Sequence, residues 1–73
     1  MLIKVFKQVE AFLNDLPKSQ RADVDAVLED LKDHGLKAPL VSMRQIEGKL
    51  WELRISQIRI FYVMVGANTM VLL

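Results

Sequence analysis

The residues best suited to chemistry in this chain are Arg54 and Arg59. They sit in a run from Lys49 to Val65 rich in β-branched and aromatic residues, which suit a pleated, half-buried surface. Ser56-Gln57 is the polar break in that run. If the chain reverses there, Ile55 and Ile58 flank a two-residue turn, Leu53 lies opposite Ile60, and Trp51 opposite Tyr62. Alternation along each strand then puts Trp51, Leu53, Ile55, Ile58, Ile60, Tyr62 and Met64 on one face. Glu52, Arg54, Arg59, Phe61 and Val63 take the other. In this register Arg54 directly faces Arg59, and like charges so placed are destabilising. An anionic ligand would explain them, because planar guanidinium forks bind phosphate. Two plainer readings stay open. Glu52, on the same face, could simply neutralise the pair. The turn could also lie elsewhere, since Ser-Gln is poor chemistry for a position that prefers Gly, Asn or Asp.

The rest of the chain reads as the support for this run. Residues 2–6 are either a short strand or the lead-in to a helix. Phe6, Val9, Phe12, Leu13 and Leu16 recur at helical spacing and predict a first helix over residues 7–15. Pro17 suits the start of a second helix, with Asp15 or Ser19 as its cap. Val24, Val27, Leu28 and Leu31 form its apolar stripe, and Gly35 is placed to end it in a left-handed conformation. Residues 36–40 read as a linker broken by Pro39. Residues 41–46 read as a strand, with a turn at Glu47-Gly48. After the long hairpin, Gly66-Ala67-Asn68 turns the chain into a last strand from Thr69. Its apolar ending is unusual for an edge strand. The order predicts an α+β domain spanning residues 1–73, a two-helix hairpin on one face of a small antiparallel sheet.

Composition narrows the classes. The 73-residue chain has no cysteine, so disulfides and thiolate metal sites are excluded, as suits a reducing cytoplasm. No apolar run is long enough to span a bilayer, and the lysine-interrupted start is not a signal peptide. The net charge of +1 is unevenly spread. Residues 1–35 carry five Lys/Arg and seven Asp/Glu, net −2; residues 36–73 carry five Lys/Arg and two Asp/Glu, net +3. The basic half coincides with the expected sheet and fits a localised polyanion site. His34, the single histidine, reads as a complement to a helix C-terminus. The acidic residues Glu29, Asp30 and Asp33 near it do not converge on a metal. No metal or cofactor is expected.

The segment Arg44-Gln45-Ile46-Glu47-Gly48-Lys49-Leu50-Trp51-Glu52-Leu53-Arg54, with Arg59-Ile60-Phe61-Tyr62 and Met70-Val71-Leu72-Leu73, resembles the RelE superfamily of bacterial toxins. It is most similar to the phage-derived HigB-like branch. Phe12-Leu13-Asn14-Asp15-Leu16-Pro17 and Asp33-His34-Gly35 extend the resemblance over nearly the whole chain. The resemblance implies a RelE-like fold and the toxin of a type II toxin–antitoxin pair, cytoplasmic, with a cognate antitoxin encoded nearby. It implies a ribosome-dependent endoribonuclease that cuts mRNA without a metal, the ribose 2′-hydroxyl attacking the adjacent phosphate. Arg54 and Arg59 carry over as the catalytic arginines. Arg44 and Lys49 join them as RNA-binding residues. Two departures stand out. Relatives commonly have lysine where Gln45 stands. They also continue beyond the position of Leu73 with a histidine, an aromatic residue and paired lysines. The expectation is therefore a C-terminally short toxin domain that cleaves weakly. Two alternatives remain: an inactive module that only binds antitoxin, or a gyrase inhibitor of the ParE type, a sister branch.

Overall fold

The computed structural model describes residues 1–38 and 41–73. Pro39 and Leu40, where the sequence places the break in the linker, lie outside the described residues. The elements run β1 (Leu2–Val5), α1 (Lys7–Asn14), α2 (Lys18–His34), a 3-10 turn (Gly35–Lys37), β2 (Ser42–Glu47), β3 (Leu50–Ile55), β4 (Ile58–Val65) and β5 (Thr69–Leu72). The sheet order is β1-β5-β4-β3-β2, an α+β fold with both helices on one face of a five-stranded mixed sheet.

Four strands, β2 to β5, pair antiparallel as expected. The sequence did not reveal the partner of residues 2–5: β1 runs parallel to β5, with Ile3 beside Met70 and Val5 beside Leu72. That pairing needs the whole helical crossover between them, which no local pattern encodes. It also explains the apolar β5. The last strand is not an edge but lies between β1 and β4. The true edges are β1 and β2. The latter carries Arg44 and Glu47 and an irregularity between Gln45 and Glu47, features that discourage edge-to-edge pairing.

The β3–β4 hairpin has the expected register. Ile55 faces Ile58, Arg54 faces Arg59, Leu53 faces Ile60 and Trp51 faces Tyr62. Its turn sits on Ser56-Gln57, with Ser56 at φ 57°. A positive φ at the first central position is what a tight hairpin demands, and a side chain there costs strain that glycine would not. Between β2 and β3 the turn falls on Gly48-Lys49, one residue later than expected, with Gly48 at φ 54°. The Gln45 side-chain amide donates to Gly48 O across it at 2.8 Å.

The core gathers Val9 and Leu13 of α1, Val24 and Leu31 of α2, and Leu53, Ile55, Ile58, Ile60, Tyr62, Met70 and Leu72 of the sheet. Burying each such side chain contributes roughly 1.5–3 kcal/mol. The α1 stripe is narrower than its spacing suggested: Phe6 and Phe12 stay exposed. Neither Asp15 nor Ser19 caps α2. Pro17 occupies its N-cap, with no side-chain hydrogen bond. Arg21 ties the two helices together, its Nη1 donating to Asn14 Oδ1 at 2.9 Å and its Nε to Asp25 Oδ1 at 3.0 Å. Gly35 ends α2 with φ 63° and ψ −152°. The φ is positive as expected, but the ψ lies outside the left-handed helical basin, in a region open essentially to glycine alone. Among the described residues no helix is long and apolar enough to cross a membrane.

Candidate functional site

The helices cover one face of the sheet and leave the other open. Alternation along β3 and β4 delivers Glu52, Arg54, Arg59 and Phe61 to the open face. Arg44 joins them from β2, where its Cα partners Glu52, and Ser42 stands beside Arg54. The structure thus brings Arg54, Arg59 and Arg44 onto one surface of three adjacent strands. Lys49 does not join them. It lies in the β2–β3 turn, about 16 Å along β3 from Arg54 at the usual strand rise.

Glu52 decides the electrostatics of this patch. It is 3% exposed, set among side chains on the open face: Arg44 and Phe61 across the strands, and Arg54 and Arg59 close by. Its Oε1 lies 3.3 Å from Arg54 Nε and 3.7 Å from Arg59 Nε. Those contacts are electrostatic without hydrogen-bond geometry, for Oε1 is buried and accepts no hydrogen bond. The arginine side chains remain 46% and 58% exposed. One carboxylate therefore relieves the repulsion between two guanidiniums and still leaves both at the surface. Neutralisation by Glu52 and availability to an anion, which the sequence offered as alternatives, occur together.

Beyond the last β4–β5 pair, Tyr62 with Leu72, an open cleft of about 230 Å³ lies between α1 and β4. Gln8, Val9, Phe12, Arg59, Ile60, Phe61 and Leu73 line it. Phe12, Phe61 and Leu73 are all exposed, so the Arg59 guanidinium borders an apolar surface. Sequence reading missed this neighbourhood because helical spacing assigns Phe12 to the buried stripe. Its place four residues after Gln8 and three after Val9 gives no hint of which side of the stripe meets β4. Lys4 was also missed. Its partner Val71 in turn faces Val63, which puts Lys4 on the open face by register.

His34 stands apart from this patch, its Nε2 3.7 Å from Asp30 Oδ1 one turn earlier on α2. Among the described residues no group of three or more His, Cys, Asp or Glu side chains is arranged to hold a metal. On the covered face, burial raises the Tyr62 phenol above its usual value. What the open face can do chemically is hold an anion through paired guanidinium forks.

Comparison with curated proteins gives no match to the chain. Residues 11–73 match the family described as phage-derived protein Gp49-like (DUF891). That span takes in α2, the hairpin and all of the arginine patch. The chain belongs to this Gp49-like family, which is related to the RelE/HigB-like toxins of toxin–antitoxin systems.

Proposed function

We propose that the chain is the toxin of a type II toxin–antitoxin pair and that it engages mRNA on the open face of its sheet. The observation that carries this reading is the cross-strand Arg54/Arg59 pair. Two guanidiniums face each other at the surface, an arrangement unfavourable to folding, in a chain of a toxin-related family. In cleavage by 2′-hydroxyl attack, negative charge develops on the phosphate oxygens. Guanidiniums fixed beforehand at that point stabilise it without reorganising during the reaction. Arg54 and Arg59 take this role at the reacting phosphate. Arg44 extends the positive surface across β2, and Lys49, at the turn, reaches a flanking phosphate.

The same site supports weak cleavage. In-line attack also requires proton transfers, whose assistance is worth about 10²–10⁴ in rate. Glu52 is the carboxylate between the arginines, and its Oε1 is buried against them, out of reach of a substrate hydroxyl. His34 lies on α2, away from the open face, beside Asp30. This favours, as the second reading, a module that binds its antitoxin and RNA with little turnover.

A ribosome-programmed mRNA cleavage assay separates the two. The expected result is cleavage little above background, abolished by Arg54→Ala or Arg59→Ala. Cleavage wholly insensitive to both substitutions would overturn the assignment of the site. Co-expression with the neighbouring gene's product should raise solubility and give a stable complex. Failure of any neighbouring product to bind counts against the toxin reading, and inhibition of DNA supercoiling in place of mRNA cleavage would move the chain to the gyrase-directed branch.

A further inference from the structure

Nothing in the packing of the open face calls for a carboxylate at position 52. Its cross-strand neighbours are Arg44 on β2 and Phe61 on β4. An apolar side chain would fill this shielded central position without the desolvation that a charge incurs. The carboxylate also leaves Oε1 buried without a hydrogen bond. Yet that one oxygen is approached by the Nε of two different arginines, at 3.3 Å and 3.7 Å. Arg44, whose Cα is the direct partner of Glu52, forms no ion pair with it among the described residues.

The geometry of guanidinium gives this arrangement a consequence. The group carries five N–H bonds in a rigid fork, one on Nε and four on the two Nη atoms. With each Nε beside the buried carboxylate and the side chains still 46% and 58% exposed, the guanidiniums keep N–H bonds at the surface for a ligand. We propose that Glu52 is a positioning residue: the charge on its buried Oε1 draws in the Nε side of both Arg54 and Arg59, and so presents the two exposed guanidiniums as one preset clamp for a phosphate. This rests on the reading of the open face as an anion site, and it adds how that site is kept ready. Holding two long side chains before binding removes the entropy that ordering them would otherwise cost at binding. Glu52 thus trades one unit of local positive charge for orientation.

That trade makes the proposal separable from simple charge counting. Removing the carboxylate makes the patch more positive, so charge alone predicts tighter binding of a polyanion. Positioning predicts weaker binding. Glu52→Gln keeps the size and one acceptor oxygen while losing the charge. Its affinity for a short single-stranded RNA should fall roughly tenfold, the scale expected when two rotamer-rich side chains must be ordered on binding. A direct readout needs neither ligand nor variant. In NMR relaxation measurements on the wild-type chain, the Nε–H groups of Arg54 and Arg59 should be more ordered than that of Arg44, and Glu52→Gln should erase the difference. Equal order at all three arginines would overturn the proposal, as would RNA binding by a folded Glu52→Gln chain that is unchanged or tighter. A wild-type chain that binds no RNA would instead sink the anion-site reading. The Nε comparison would then still decide whether Glu52 holds the arginines, and it also decides if Glu52→Gln does not fold.

Discussion

Two neighbouring cross-strand pairs on the β3–β4 hairpin meet opposite demands. Leu53 and Ile60 face each other under the helices and are 0% and 3% exposed. One residue along each strand, Arg54 and Arg59 face each other on the open side, about half exposed. The backbone, the turn and the register are shared. What differs is the cover: one face is closed by α1 and α2, the other is bare. The first pair holds the fold together. The second opposes it locally, and among the described residues it is the Glu52 carboxylate that offsets this. Residues that a fold accommodates at a cost are the ones to examine for function.

The largest test of this contrast is Leu53→Ala. Truncating a fully buried side chain in so small a core should destabilise the chain by about 2–5 kcal/mol, read as a shift in the denaturant midpoint. A loss below about 1 kcal/mol would mean that the covered face is not the core. The arginine pair should behave differently. Arg54→Ala and Arg59→Ala singly should each change stability by no more than about 0.5 kcal/mol, because one repulsion disappears with one attraction and Glu52 keeps a partner. The double substitution strands the buried carboxylate and should exceed the sum of the singles by about 1–3 kcal/mol. Simple additivity in that cycle would show that the two arginines do not share Glu52.

A smaller effect is expected at the turn joining both pairs. Ser56→Gly should stabilise by about 1 kcal/mol, relieving the positive φ at the expense of some added freedom in the unfolded chain. Destabilisation would mean that the Ser56 side chain has a role beyond the turn. The smallest effect is confined to alkaline pH. Burial lifts the Tyr62 phenol above 10.0, so the folded chain favours the neutral form. The stability linked to this is complete below about pH 10 and is lost as pH rises through the folded value. Tyr62→Phe, which cannot ionise, should lose less stability than wild type over that range. Parallel pH profiles would show that Tyr62 is not kept neutral by burial.

Much of this molecule is written in local pattern. Alternation across Lys49 to Val65 carried the hairpin register and both faces, because a one-residue slip would have exchanged every side chain between core and solvent. The α2 stripe was legible because Val24, Val27, Leu28 and Leu31 recur at the helical period. What could not be read depends on distant pieces meeting. The parallel partner of β1 lies more than sixty residues away, and the burial of Glu52 follows from side chains of three strands meeting around it. The cleft beside Arg59 appears only once α1 is laid against β4. The arginines and Glu52 beside them were therefore visible in the sequence, while the burial of that carboxylate and the apolar cleft beside Arg59 needed the tertiary structure.

The central claim is that the open face binds RNA through Arg54 and Arg59, and the most direct test is salt-dependent binding of a single-stranded RNA oligonucleotide. Every phosphate that is no longer neutralised should lower the slope of log affinity against log salt by about 0.7. Arg54→Ala and Arg59→Ala should each weaken binding and flatten the slope by about that amount, with the fold intact. Substituting Lys18, on the helical side of the molecule, should leave both unchanged. Slopes that match wild type in both arginine variants would contradict the account.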